Sequence, residues 1–342
     1  MRHPYAGYAL RRTAQAAVVV LLAYAFTFFV ISVLPGDPVT STLRNPENGF
    51  TEDDIQRIVA YYGLDQPLLV QLWTSLTRFL VGDLGVSLRS SLPVGQLVAD
   101  ALPSTLALAS SALLVAIVLA VLIAFGTQFL PARYGQGILR ALPSFFLSVP
   151  NFVIGLLLIH VFAFGLGLFR IIDPESGWAT FFAALALGIP VSAQLAEVLI
   201  ASLDHEGRQE YVAVARSRGL GHGALFLRHL VKPSSLPAVT VLALMVGELL
   251  GGSLITETIF GRNGIGTLVQ RAVASQDLPV LQAVVSLAAI VFVVVNLLAD
   301  LAYPLLDPRV QLGGGRRRIQ APAEAPPAPR VGDPIREGVG VA

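Results

Sequence analysis

Cysteine is absent from the 342 residues, and lysine occurs once, at Lys232, directly before Pro233. The first absence excludes disulfides, thiolate zinc sites and thiol catalysis. The second removes the Gly-x-x-x-x-Gly-Lys-Ser/Thr loop, so the chain does not hold ATP by that device. Neither His-Glu-x-x-His nor Gly-x-Ser-x-Gly occurs, and the five histidines (His3, His160, His205, His222, His229) show no metal-ligand spacing. No nucleophile–base pair presents itself, so the chain reads as a non-catalytic polypeptide with no metal or cofactor of its own and no nucleic acid as partner. Charge is scarce too. Asp, Glu, Lys and Arg make up 13% of residues, against about 25% in soluble domains.

What fills the chain is apolar: 54% hydrophobic residues and a mean hydropathy of +0.71. Six runs are each long enough for a bilayer core of about 30 Å at about 1.5 Å per residue. They lie near 13–34, 102–130, 142–168, 179–203, 236–260 and 280–306. The first follows Arg11 and Arg12 like a signal peptide, but its apolar stretch is too long and it ends in "LPGDP", not at a small-residue cleavage site. It reads as an uncleaved helix. "SVPNF" (148–152) interrupts the third run and "GIP" (188–190) the fourth; such breaks persist where neighbours or a cavity satisfy the freed backbone groups. The fold class is therefore all-α and integral to the membrane.

Orientation follows from basic residues. With the N-terminus in the cytoplasm, 16 of the 23 Lys and Arg residues fall on inner segments and 7 on outer ones. Both termini are thus expected to be cytoplasmic. The outer segment 35–101 carries its own signals. Thr51 can cap a helix whose first turn is Glu52, Asp53 and Asp54, with Ile55, Ile58, Val59 and Tyr62 on one face and Gly63 at its end. A second stripe follows Pro67: Leu69, Leu72, Trp73, Leu76 and Leu80. These read as short amphipathic helices lying on the outer membrane face or on the other spans, with packing favoured over solute contact. The segments divide as 1–101 (first span and outer loop), 102–310 (spans two to six) and 311–342, a low-complexity tail with "GGGRRR" and "APAEAPPAPR" that is expected to be disordered. Arg316 to Arg318 suit anionic lipid or a solvated topogenic cluster, and the cluster is favoured.

Three acids fall within spans: Glu197, Glu248 and Asp300. An ionisable group at a helix centre costs about 2.5–3.5 kcal/mol on insertion scales, so each should face protein or water. Glu248, near mid-span, is the best cavity candidate; Asn151 beside Pro150 and Gln194 join it as candidate pathway residues. His160 faces a pathway or, more simply, an interior hydrogen bond. No internal repeat is visible, which removes one support for an inverted-repeat transporter.

The stretch "EYVAVARSRGLGHGALFLRHLVKP" (210–233) is basic, helical in composition and broken by Gly-Leu-Gly. One helix is expected over 210–218, a turn at 219–221, and a second helix over 224–232 ending where Pro233 begins the fifth span. Ala213 and Ala215 keep the first helix narrow enough for close approach by a partner. Periodicity leaves two readings even: a surface held by another protein, or an amphipathic stretch on the inner leaflet.

Four ordered blocks add to this. They are "LPGDP" (34–38); "YGLDQPLLVQL", "GDLGVS" and "LPSTLAL" between 62 and 108; "EYVAVARSRGL" with Pro237 further on; and "ETIFGRNGIGTL", "DLPVLQA" and "LLDPRV" between 257 and 310. Together the chain resembles the transmembrane permeases of ABC importers in the peptide/nickel group, B-type subunit, over about residues 8–310. That resemblance implies a type I permease fold in a bacterial inner membrane. It implies a second, homologous permease as heterodimer partner, two cytoplasmic ATPase subunits carrying ATP and Mg, and an extracytoplasmic solute-binding protein. Glu210, Ala213, Ala215, Arg216, Gly219 and Leu220 would form the coupling helix and its turn. The solute would be a peptide or similar small molecule; nickel, another metal chelate, glutathione or an opine-like compound is the alternative, and an ATP-independent secondary transporter or channel is the alternative of a different class. The sequence departs from the pattern in places. Ala213 stands where other importer groups carry an acid, Asn263 where proline is frequent, and Glu197 and Ile200 where this group commonly has basic residues in span four. The last departure bears on the charge of the solute or its path.

Overall fold

A computed structural model describes residues 4–32, 51–63 and 65–306. "LPGDP", most of "LLDPRV" and the 311–342 tail lie outside the described residues. Among the described residues the regular structure is helical apart from one bridge between Val86 and Pro93. In chain order the helices are α1 (Pro4–Ser32), α2 (Glu52–Tyr62), α3 (Leu68–Leu80), α4 (Val94–Phe129), α5 (Gln136–Ser148) and α6 (Asn151–Leu158). There follow α7 (Gly177–Gly207), α8 (Glu210–Ser217), α9 (His222–Leu225), α10 (Val231–Phe260), α11 (Ile265–Ala274) and α12 (Leu278–Leu306). A π segment, Ile159–Gly165, prolongs α6, and another, Phe226–Leu230, joins α9 to α10.

Among the described residues five helices are long and apolar enough to cross a membrane, and the pair Gln136–Ser148 and Asn151–Gly165 makes a sixth if it is one span bent by 100°. The bend falls at Val149-Pro150, inside the break expected from "SVPNF". This is an all-α, membrane-spanning architecture, as the resemblance to type I permeases implies. Two boundaries differ from the hydropathy reading. α4 starts at Val94, well before 102, because Pro103 sits inside it and Pro93 precedes its first turn. The fifth crossing is continuous from His222 to Phe260.

Small residues line the contact between α4 and α7 at the centre of the core. Ala112, Ala116, Ala120 and Ala124 recur every fourth position on α4 and are fully buried against α7, where Ala183, Ala184, Ala193 and Ala196 are fully buried too. Between helices in lipid the drive is close packing, which small side chains permit. Gly188 marks the tightest point: a methyl there would come 2.8 Å from the Ala112 carbonyl oxygen. α10 closes this core with Met245 and Leu249, while α1 lies outside it against α12 and α3, with Tyr24 buried.

The outer-loop helices form where their caps indicate. Thr51 and Asp54 make a reciprocal capping box on α2, and Gly63 ends the helix at φ +64°. The α3 stripe is partly packed, with Leu72 and Leu76 half-buried. Leu69, Trp73 and Leu80 are exposed, while Ser75 and Phe79 contact Tyr24 of α1, with Tyr24 Oη and Ser75 Oγ 2.6 Å apart. These contacts hold one flank of α3 against α1 and leave Leu69, Trp73 and Leu80 facing outward.

The motif blocks meet at this end of the bundle. Tyr62 Oη accepts from the Val86 N–H and donates to its carbonyl, both at 2.8 Å. Asp277 accepts from the Ser87 hydroxyl and, at 3.2 Å, from the Leu88 N–H. Glu257, with no exposed surface, accepts from Thr105 Oγ1 at 2.7 Å and from the N–H groups of Gly266 at 2.7 Å and Thr267 at 3.3 Å. The carboxylate thus serves the first turn of α11, whose orphan donors favour an anion. Arg262, also buried, reaches the Pro174 carbonyl at 2.7 Å, Thr180 Oγ1 at 2.8 Å and Glu175 at 2.6 Å.

Candidate functional site

The opposite end carries most of the basic loop residues and the stretch 210–233. α7 runs to Gly207, the chain turns at Arg208 and Gln209, and α8 begins with Glu210. Its end is a Schellman turn. The Gly219 N–H bonds the Arg216 carbonyl at 2.9 Å and the Leu220 N–H bonds the Ala215 carbonyl at 3.3 Å. Gly219 sits at φ +82°, the left-handed conformation this motif requires and glycine supplies.

α8 is anchored along one side and open along the other. Val212 is buried in the main core and Ala215 packs against it. Glu210, Ala213, Arg216 and Gly219 are exposed, and Leu220 is half-buried. Of the two alanines singled out from the sequence, Ala213 therefore faces outward and Ala215 inward. Tyr211 and Val214, which the sequence reading did not single out, are also exposed, Val214 by 50%. Two apolar side chains at i and i+3 beside Arg216 make a mixed surface of the kind a partner can cover. Their signal was the same apolar periodicity that buries Val212, so sequence alone does not separate the two faces.

The second arm differs from the expected helix over 224–232. His222–Leu225 passes through the π segment directly into α10. Pro233 has no N–H to offer the His229 carbonyl, yet the helix continues. The Tyr211 hydroxyl lies 3.4 Å from that carbonyl and donates to Glu206 Oε2 at 2.6 Å. Partial desolvation of the hydroxyl, with the Glu206 carboxylate as its hydrogen-bond partner, pushes the Tyr211 phenol up to about 12. Phe226 packs edge-on against Phe125 and Phe129 of α4, with centroids 4.8 and 4.9 Å apart. The stretch is thus one short free helix and one long rigid one, joined at Gly219.

A polar stripe runs through the spans. Gln194 Nε2 on α7 donates to Glu248 Oε2 on α10 at 2.9 Å. One turn along α10, a methyl at Gly252 would come 3.7 Å from Asn151 Nδ2 on α6. The three candidate pathway residues thus lie along one region where α6, α7 and α10 meet. Glu248 is exposed in the isolated chain, on a face with Leu244, Gly251 and Ile255. Glu197, exposed one turn from Gln194 on α7, lies 3.4 Å from Ser144 Oγ on α5. An ionisable side chain on an exposed mid-span face calls for water or protein opposite it. The side chain of Asp300 lies outside the described residues. Gly252 does pack closely, 2.9 Å from Leu187 Cδ1 for an added methyl, whereas Gly251 faces open space. Among the described residues no group of three His, Cys, Asp or Glu side chains is placed to hold a metal ion.

Residues 112–312 match the family model described as binding-protein-dependent transport system inner membrane component, and residues 6–109 match its companion N-terminal model. A glutathione transport system permease protein of Salmonella typhimurium is 30% identical over 304 residues, 89% of this chain and 98% of the relative. A putative peptide transport system permease protein of Brucella abortus is 31% identical over 310 residues, 88% of this chain and 98% of the relative.

Proposed function

We infer the mechanism from one premise: the chain belongs to the family of binding-protein-dependent transport system inner membrane components and is a permease component of an ABC importer. It works with ATPase and binding-protein partners. The proposed reading is finer. The chain is a non-catalytic subunit of a bacterial inner membrane, with both termini in the cytoplasm, paired with a second homologous permease and two ATPase subunits that hold ATP and Mg. Its solute is a peptide or a similar small molecule. Glutathione stands beside peptides, because relatives carry both names; nickel, another metal chelate and an opine-like compound remain further alternatives.

The observation that carries the reading is α8: a short helix with an open face, ended by a left-handed glycine, fixed between two membrane-crossing helices. Glu210, Ala213, Arg216 and Gly219 form the ATPase-docking surface, with Ala215 and Leu220 seating it on the core. When the ATPases close, α8 moves, and α7 and α10 move with it. Those helices carry Gln194 and Glu248, so the same displacement changes access to the polar stripe, which lines the path together with Asn151. Such switching needs discrete arrangements that each ligand favours differently; the hydrolysing partners supply that bias.

The chain is free of cysteine, so single introduced cysteines report cleanly. A cysteine at Ala213 should cross-link to an ATPase subunit and should be reached by impermeant labels from the cytoplasm only. Labelling from outside, or solute flux driven by an ion gradient through the purified chain alone in liposomes, would overturn the reading in favour of a secondary transporter or channel.

A further inference from the structure

The docking turn is also tied sideways, to spans that are not its chain neighbours. His222, just past the turn, lies with Nε2 3.2 Å from the backbone oxygen of Gln128 at the end of α4. A carbonyl only accepts, so this nitrogen carries the proton. The Gln128 side chain in turn donates to Asp204 Oδ1 at 3.1 Å. Asp204, on the last turns of α7, takes a two-pronged bond from Arg140 of α5, at 2.7 and 2.9 Å. Four chain segments therefore converge on one carboxylate and one glutamine: the start of α9, the ends of α4 and α7, and α5.

We propose that Asp204 is a positioning residue whose bonds to Arg140 and Gln128 make the docking turn and the ends of spans two, three and four move as one body. This rests on the importer reading above. The chain's own connectivity links α8 only to α7 and α10, so without the bracket a load on α8 reaches α4 and α5 through apolar contacts and two single hydrogen bonds, His222 to the Gln128 carbonyl and Ser144 to Glu197. Apolar contact between helices in lipid is non-directional and permits sliding. The paired, planar Arg–carboxylate geometry is directional, and here it ties α5 to the helix that carries the load. The pair is partly exposed, with 38% of the Arg140 side chain and 25% of the Asp204 side chain accessible. Its value for static stability is correspondingly small, and a role in holding register suits it better.

The test uses the assembled transporter, permease pair and ATPases together, in nanodiscs. Spin labels go on Ser217→Cys in α8 and Tyr134→Cys in the loop between α4 and α5, both exposed. In the otherwise native chain the label distance should be single and narrow and should stay the same when ATP is trapped with vanadate. In Asp204→Asn and in Arg140→Gln the distribution should broaden and shift on trapping. The swapped pair Arg140→Asp with Asp204→Arg should bring back the narrow distance, which a residue needed only for folding would not do. A distance that shifts in the native background, or both single variants behaving as native, overturns the bracket while the ATPases still co-purify. ATPases that fail to co-purify with the native chain overturn the importer reading, and the bracket with it.

Discussion

Glu257 and Thr105, 152 residues apart in sequence, are joined by a 2.7 Å hydrogen bond from the threonine hydroxyl to the buried carboxylate. The same hydroxyl accepts from the Ile265 N–H at 2.7 Å. Three consecutive N–H groups at the start of α11 are thus satisfied by two side chains from α4 and α10. This end of the bundle, opposite the proposed ATPase surface, is closed by polar groups bonded to one another.

Removing the carboxylate should therefore weaken the fold before it touches the mechanism. Glu257→Ala leaves the Gly266 and Thr267 N–H groups buried without their acceptor, at about 1–3 kcal/mol for such a loss. Glu257→Gln keeps one acceptor oxygen and should cost less. Thermal unfolding of the detergent-purified permease should rank native above Gln above Ala. An Ala variant as stable as the native chain would show that water or another group replaces the carboxylate.

The glycines around Glu257 make a sharper case. A methyl at Gly266 would come 2.4 Å from Leu254 Cα, and one at Gly264 would come 2.4 Å from the Glu257 carboxylate. The first obstacle is backbone and the second is a side chain held by three bonds, so neither gives way easily. Gly266→Ala should cost about 1–3 kcal/mol, the usual penalty for overpacking. Gly251→Ala, with nothing within 4 Å, should leave stability unchanged. Equal melting of the two variants would count against this packing.

How far the sequence could be read follows the range of each contact. The Thr51 cap of α2 is legible, because cap and capped N–H lie within four residues; the reciprocal bond to Asp54 comes from the structure. The break at Gly219 is legible for the same reason, and the structure makes it a Schellman turn. Asp277 could not be read as the partner of Ser87, 190 residues away, although both belong to blocks that the family resemblance marked. Gln194 and Glu248 are both candidate pathway residues from the sequence; their mutual bond depends on how α7 crosses α10, which periodicity does not state. The expected second helix over 224–232 went wrong because Pro233 reads as a helix start, while the structure runs through it by way of a π segment. The α3 stripe marks an amphipathic helix but not which of its residues pack: Leu72 and Leu76 are half-buried, while Leu69, Trp73 and Leu80 are exposed.

The left-handed turn should be sensitive to any side chain. Gly219 has open space around it, so a substitution there meets no clash, only the backbone preference against φ +82°. That preference is about 1–2 kcal/mol for an ordinary residue and is harsher for a β-branched one. Gly219→Val should therefore insert normally but bind the ATPases poorly, and Arg216→Glu should do the same by reversing charge on the exposed face. Pull-down of the ATPases with each variant is the measurement. Normal assembly in both would reject α8 as the docking surface.

The Tyr211 phenol offers a spectroscopic check on how α8 is seated. Its value in the folded chain, about 12, lies above the ordinary value of about 10. The folded state therefore holds the proton more tightly. The stabilisation is fully present below pH ~10 and is lost as the pH rises towards 12. Difference titration of phenolate absorbance between the native chain and Tyr211→Phe should show the extra phenol ionising well above the ordinary range. Ionisation near pH ~10 would mean that the Glu206 contact, and with it the seating of α8 on α7, is absent in solution.

The polar stripe can be tested without knowing the solute. Glu248→Cys and Gln194→Cys, if they line a water-filled path between α7 and α10, should react with a charged maleimide in the assembled transporter. Leu122→Cys, exposed on α4 by 63% in the isolated chain but apolar in its surroundings, should face lipid and stay unlabelled, because a charged reagent does not enter hydrocarbon and a thiol reacts as the thiolate. Trapping the ATPases with ATP and vanadate should change the labelling rate of Glu248→Cys, since in the proposed mechanism α10 moves with the docking turn. A Glu248→Cys rate no higher than that of Leu122→Cys in every nucleotide state would remove Glu248 from the path, and would leave its bond to Gln194 as a strut between two helices.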